Sequence, residues 1–484
     1  MSASGHVGVR QKRACAPILR AQPKSSNGEQ KRLDDDDRSR ALIPFGVPSD
    51  YSSKKPARIY SLHGSCFRVH CAGESRSRRY RYVVRYWRHR YDIAIRQPAQ
   101  AWAITHDSGD RLIVAGRNRD DMLGNSIPTL ARYLPDGTLD TTFGDAGTGI
   151  VTITPPGGLS MYGQLYAVAL DSKGRIVVGG DVGIDTPAGP SYAFTLMRYL
   201  ADGTLDRSFA SNGTLETVIL ASEAGSGIQS LVIDSKDRIV ASGSSDSFTG
   251  GSGVIVRYDE DGGLDHSFAK TGMVFPNSSG NPVFGNVALD HSGRIVLVGY
   301  NFDPITSDPE TILGRYLDNG EIDTGFGPDG SGFSISLDVL SNRCAIDDSD
   351  RIVVAGGSNV TSTFALERFG ADGLPDSSFG VDGTGIVSTD EYGDPFDVHR
   401  VAFDNDGRLV ATQQLFGNFE VFRFTADGVA DSAFGSGGIA PGPGSDLVYY
   451  SHGDMDIDSA NHLTLVGWSD DGTPSQFSLV RFEN

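Results

Sequence analysis

A thirteen-residue phrase is written into this chain six times, and its periodicity constrains the fold more than any other feature. It first reads Arg132-Tyr-Leu-Pro-Asp-Gly-Thr-Leu-Asp-Thr-Thr-Phe-Gly and starts again at Arg198, Arg257, Arg315, Arg368 and Arg423. A seventh start, Arg481-Phe-Glu-Asn, ends the sequence. The interval averages about 58 residues. A unit repeated at such a period cannot bury its apolar face alone and needs neighbours on both sides; this length suits four strands.

Each unit opens with a short apolar strand and a turn, as in Ala167-Val-Ala-Leu-Asp-Ser-Lys-Gly-Arg-Ile-Val-Val-Gly-Gly. The strand ends at an Asp in all seven units: Asp107, Asp171, Asp234, Asp290, Asp347, Asp404 and Asp458. Three residues later stands Asp110, Gly174, Asp237, Gly293, Asp350, Gly407 or Asn461. Gly, Asn and Asp share a tolerance of positive φ, so this turn position is expected to be left-handed. The β-branched stretch that follows, Ile176-Val-Val or Ile352-Val-Val, predicts a second strand. A variable polar loop leads to a third, such as Phe194-Thr-Leu-Met-Arg-Tyr, apolar on both faces as in a sheet sandwiched between others. An Asp-Gly turn, the Leu-Asp-x-x-Phe-Gly element and a Gly-bounded fourth strand such as Gly149-Ile-Val-Thr-Ile complete the unit. Helical periodicity is absent from the unit. Four antiparallel strands repeated radially predict an all-β fold, a seven-bladed β-propeller over residues 97–484.

The run Asp-x-x-Gly-Arg-Ile-Val-Val-x-Gly, then Arg-Tyr, then Asp-Gly-x-Leu-Asp-x-x-Phe-Gly resembles the delta-60 repeat. That repeat is similar in turn to NHL-type propellers, whose blades read Val-Ala-Asp-x-x-Gly before a short Arg-bearing strand. The likeness covers Gln97 to the end and recurs in every unit. It implies a bacterial propeller, extracellular or in the cell envelope. It implies no settled activity, so no catalytic residue is carried over.

Charge divides the chain at the same place. Met1 to Arg96 holds 21 Lys+Arg against 8 Asp+Glu, whereas the rest holds 21 against 53. An acidic body of that kind argues against nucleic acid as a partner, because phosphate binding needs a basic face. The four cysteines make neither a disulfide framework nor a CxxC zinc site, and Cys344, the one within the repeats, falls at an apolar strand position expected to be buried and inert. No apolar run is long enough to span a bilayer, and the N-terminus lacks the apolar stretch of a signal peptide.

Residues 1–96 are expected to be a disordered basic segment outside the propeller. They also occupy the place of a missing part. Seven hairpins are accompanied by only six Leu-Asp-x-x-Phe-Gly elements, and a ring closes by taking its last outer strand from the N-terminal side. Counting back from Asp107 by the observed spacing lands on Arg81-Tyr-Val-Val-Arg-Tyr-Trp-Arg-His-Arg-Tyr. Shifted by one nucleotide, codons for those residues permit Asp-Thr-Ser-Phe-Gly-Thr-Gly-Gly-Ile-Val-Thr, which is the missing element in register. The segment is therefore expected to come from a wrong frame or a mistaken start, with a genuine basic tail as the alternative.

A residue present in every blade answers a structural need of every blade. The repeated Arg132, Arg198, Arg257, Arg315, Arg368 and Arg423 are accordingly expected to pair with Asp140, Asp206, Asp265, Asp323, Asp376 and Asp431, with the repeated Phe residues as core plugs. Binding is expected where the symmetry breaks. Four and five residues before its terminal Asp, the first strand abandons consensus, and in a propeller that strand lines the central channel. The candidate mouth residues are Trp102, Tyr166, Gln229, Asn342, Arg343, His399, Arg400 and Asp454. Arg343 and Arg400, with His399 nearby, suit an anionic group; the alternative is that Arg400 pairs with Asp454 and the mouth is merely polar. Asp454-Met-Asp-Ile-Asp458 and Asp404-Asn-Asp-Gly407 resemble the start of a Ca²⁺ loop, yet neither is followed by the bidentate Glu of an EF-hand, and solvated turns are the expectation. No other cofactor or metal is expected.

Two functional classes follow. One is a non-enzymatic scaffold binding protein or glycan; Asp181–Tyr192 and Ser244–Gly253 are its expected partner-facing loops. The other is a hydrolase or lyase with a metal-assisted site at the channel mouth, as in some NHL-like propellers. Three or more His, Asp or Glu converging at one mouth favour the enzyme; Trp102, Tyr166, Arg343 and Arg400 without that convergence favour binding.

Overall fold

The structure is a computed structural model. It describes residues 89–92 and 99–482 except the segments 121–124, 145–146, 154–162, 187–188, 220–225, 246–251, 278–281, 303–307, 393–397, 416–417, 442–452 and 470–475. The chain divides into units Met1–Tyr80 and Arg81–Asn484, and every described residue belongs to the second. The expected basic segment and its frame therefore lie outside the described residues, save for one strand.

Among the described residues every regular element is a strand, and the strands form seven antiparallel sheets arranged as a β-propeller. Blade two shows the plan: an inner strand Gly163–Leu170, then Ile176–Thr186, Gly189–Tyr199 and a short outer strand Thr214–Thr217. Each sheet hides apolar residues on both faces, because its neighbours cover them. The core is accordingly a series of clusters between blades, such as the one joining Val177, Phe194 and Leu196 of blade two to Ile228, Ile239 and Val254 of blade three.

The hairpin turn after each inner strand is left-handed in all seven blades, from Asp110 (φ 55°) to Asn461 (φ 64°). The Asp three residues earlier clamps it. Asp107 Oδ1 accepts from the amides of Gly109 and Arg111, and its Oδ2 accepts from Arg111 Nε at 2.7 Å. Where the left-handed residue is Asp or Asn, its side chain also ties adjacent blades: the Ser172 amide donates to Asp237, and the Asn405 amide to Asn461.

The repeated phrase welds blade to blade. In all six copies the Arg Nε donates to the Asp eight residues on at 2.7–2.8 Å. The guanidinium lies over the ring of the phrase's Phe, 4.4–4.7 Å from its centroid. In five copies Nη1 reaches a backbone carbonyl in the turn of the following blade: Ala201, Glu260, Asp318, Ala371 or Ala426. The arginines are thus buried cations held by a carboxylate, a ring face and a neighbouring carbonyl, which is a structural role. Five of the Phe residues are fully buried, and Phe434 is half-buried.

Blade seven consists of Asp454–Ile457, Leu463–Ser469 and Gln476–Phe482, and its outer strand is His89–Asp92, from the N-terminal side of Gln97. Its Arg481 departs from the other six. Nη1 donates to Pro135 O and Nη2 pairs with Asp458, but buried Nε, the atom that takes the Asp elsewhere, has no hydrogen-bond partner among the described residues. The seam from blade seven to blade one is closed by Ile104 N to Asp454 Oδ2 (3.2 Å), His106 to Asp456 (2.6 Å) and Ser459 to Asp110.

Candidate functional site

The position where the inner strands abandon consensus is a β-bulge. Register slips between Ala101 and Ala103, Leu165 and Ala167, Ile228 and Ser230, Phe284 and Asn286, and Val398 and Arg400. The skipped residues are Trp102, Tyr166, Gln229, Gly285 and His399, one in each of five blades. A bulge frees a residue from the ladder and re-aims it. The second strand makes room for it: a Cβ on Gly180 would lie 1.8 Å from the Gln164 carbonyl oxygen, and one on Gly116 would lie 2.0 Å from that of Gln100.

Four of them, Trp102, Tyr166, Gln229 and Gly285, line a cavity of about 110 Å³ at one end of the channel. Trp102, Tyr166, Gln229, Arg343, Arg400 and Asp454 line it. Asn342 does not; it packs against Gly285, whose Cβ position lies 3.0–3.3 Å from the Asn342 side chain. The reason is local. The inner strand of blade five is broken into Val339–Leu340 and Cys344–Ile346, and Ser341 Oγ caps the break by bonding Ala355 O (2.6 Å) and Arg343 O (2.9 Å). The next residue to face the channel is therefore Arg343. The His399 side chain lies outside the described residues.

Trp102 and Tyr166 meet edge to face, with centroids 5.6 Å apart and planes at 65°. Arg117, which sequence reasoning did not single out, sits 5.7 Å above the Trp102 ring. Across the cavity, Arg343 Nη1 donates to the carbonyls of Gly285 and Asn342, both at 3.2 Å. Burial, and then the charge of Arg400, hold the Arg343 pKa below the ordinary guanidinium range. Arg400 Nε faces Asp454 Oδ1 at 3.3 Å, so the expected rim pair is present. Asp454 is further engaged by the amides of Ile104 and Met455, which fix it as part of the wall. Among the described lining residues the charged groups are Arg343, Arg400 and Asp454, a balance of one positive charge in a strongly acidic body.

The acidic turns considered for Ca²⁺ are otherwise occupied. Asp454–Ile457 is a strand, and Asp404 receives Arg408 Nε at 2.7 Å. Among the described residues no group of three His, Cys, Asp or Glu side chains is placed to hold a metal ion. Cys344 is a buried thiol 3.1 Å from Asn286 Oδ1, its pKa pushed up to about 12 by burial. No helix among the described residues is long and apolar enough to cross a membrane.

Residues 110–143 and 174–209 match a family model described as a domain of unknown function (DUF5122) beta-propeller, in agreement with the observed fold. No curated protein matches. Among solved structures the chain is similar to a polysaccharide lyase, Uly1, at 9% identity, covering 79% of this chain and 89% of that one, with a TM-score of 0.46. A catalytically inactive virginiamycin B lyase from Staphylococcus aureus is likewise 9% identical, covering 82% and 99%, with a TM-score of 0.40. The propeller domain of the Trilobed protease from Pyrococcus furiosus is 8% identical, covering 80% and 95%, with a TM-score of 0.43. Likenesses this distant carry nothing about ligand or activity.

Proposed function

We propose that this chain is a delta-60-type propeller, bacterial and placed at the cell surface or outside the cell, that binds a glycan non-enzymatically through an acidic sugar held in the channel mouth. The observation that carries this reading is the convergence of Arg343, Arg400 and the Trp102–Tyr166 pair on one cavity. Guanidinium groups recognise a carboxylate by paired, charge-assisted hydrogen bonds, and aromatic rings offer flat apolar faces to the C–H side of a sugar. Asp454 holds Arg400 at Nε, so the remaining edge of that guanidinium serves the ligand. A cavity of this size suits one sugar ring better than a protein patch, whose stable interfaces are far larger.

The test is a glycan array probed with the full chain. Glycans ending in a uronic acid are retained, and their carboxyl-reduced counterparts bind at least about tenfold more weakly. Arg400→Gln loses the preference. Equal binding of acidic and reduced glycans overturns the carboxylate assignment, and cleavage of the retained glycan overturns the non-enzymatic one.

A further inference from the structure

The mouth opens sideways into a second, larger space. A groove of about 470 Å³ lies beside it across the ends of blades one, two and three, and Tyr166 and Gln229 line both. Its far wall comes from the hairpin of blade two, which runs beyond its neighbours: Ile176–Thr186 pairs with Gly189–Tyr199, so that Asp181 opposes Phe194 and Gly183 opposes Tyr192. Tyr192 is 42% exposed at this wall.

The chemistry of the groove differs from that of the mouth. Among its described lining residues the two charged groups, Arg117 and Asp181, balance each other. Both are engaged with the wall: Arg117 Nε donates to Gln100 Oε1 at 2.6 Å, and Asp181 Oδ1 accepts from the Gln164 amide at 3.1 Å. What remains is amide and hydroxyl surface, with Tyr192 as a ring. Such a wall matches uncharged, hydroxyl-rich units; a continuing polyanion would meet Asp181 without a net cation to offset it. A peptide would seek an unpaired sheet edge or a deep apolar pocket, which this polar groove does not resemble.

We infer that the groove is a second subsite for the same ligand, taking the neutral sugars that follow the acidic residue held at Arg343 and Arg400. This rests on the proposed function of the mouth and extends it: the ligand class is a glycan whose terminal sugar is acidic and whose next units are neutral. Blade two's long hairpin is then the specificity element, with Tyr192 stacking on a neutral sugar and Gln229 standing between the subsites.

Calorimetric titration of the full chain separates the two assignments. The probes are D-glucuronate alone, and glucuronate linked to one, two and three neutral hexoses. Affinity rises by about tenfold or more along the series, and Tyr192→Ala removes most of that gain while leaving the Kd for D-glucuronate within about twofold. If D-glucuronate binds but length adds nothing, or if Tyr192→Ala weakens every member equally, the groove assignment fails and the mouth stands. If no member binds, both fail. A tetrapeptide with one terminal carboxylate that shows the same gain and the same sensitivity to Tyr192→Ala overturns the glycan assignment in favour of a peptide.

Discussion

Glu367 gives this fold a pH dependence that can be worked out from its surroundings. It lies on the third strand of blade five, 6% exposed, and its carboxyl is hydrogen-bonded to Ser336 on the outer strand of blade four. Burial, opposed by the Ser336 bond and assisted by nearby Asp338, raises its pKa from 4.5 to about 7. The folded protein therefore holds this proton more tightly than the unfolded chain. Stability from this site is present below the unfolded value of 4.5 and is lost as pH rises through about 7. At 1.36 kcal/mol per unit, the loss is about 1 kcal/mol at pH 5 and about 3 kcal/mol at pH 8. Glu367→Gln keeps the shape and a hydrogen bond but cannot ionise. It is expected to stabilise the propeller by about 1 kcal/mol at pH 5 and about 3 kcal/mol at pH 8, in denaturant unfolding followed by tryptophan fluorescence. In a domain of this size the larger figure corresponds to a rise of roughly 4 °C in Tm. A gain that is the same at both pH values, or a loss at pH 8, refutes the placement of an ionisable carboxyl in that environment.

Two further outcomes test the packing between blades. Asp206→Ala strands the Arg198 guanidinium, itself 1% exposed, between blades two and three, and is expected to destabilise the fold by about 3 kcal/mol in the same unfolding assay; a change near zero means that the Arg–Asp pair is not what holds those blades. Replacing residues 81–91 by Asp-Thr-Ser-Phe-Gly-Thr-Gly-Gly-Ile-Val-Thr is expected to supply an acceptor for Nε of Arg481, which has none among the described residues, and a ring beneath it, and to raise Tm by several degrees; an unchanged or lower Tm contradicts the proposal that this stretch is the seventh phrase in a shifted frame.

Much of this architecture is legible because a repeat averages out local accidents. The left-handed turn was readable from Gly, Asp and Asn alternating at one position, since few other residues tolerate that φ. The Arg–Asp–Phe cluster was readable from its fixed spacing. The mouth was partly readable, as the break in the pattern marks a bulge in five blades, and a residue released from the ladder has no strand periodicity to obey. Asn342 was misassigned because blade five replaces the single-residue bulge with a break capped by Ser341, which moves the channel-facing position to Arg343. The groove was out of reach. Sequence shows a long polar insertion at Asp181–Tyr192, but not that its two arms pair and lean beside the mouth, since that depends on how far the hairpin ladder continues.

The most direct measurement is a crystal structure of the full chain with a glucuronate-terminated tetrasaccharide. The sugar carboxylate is expected within about 3 Å of the guanidinium groups of Arg343 and Arg400, its ring against Trp102 and Tyr166, and the neutral units running past Gln229 to Tyr192. Density for the sugar at another face, or a mouth holding only solvent at saturating ligand, contradicts the assignment of the binding site.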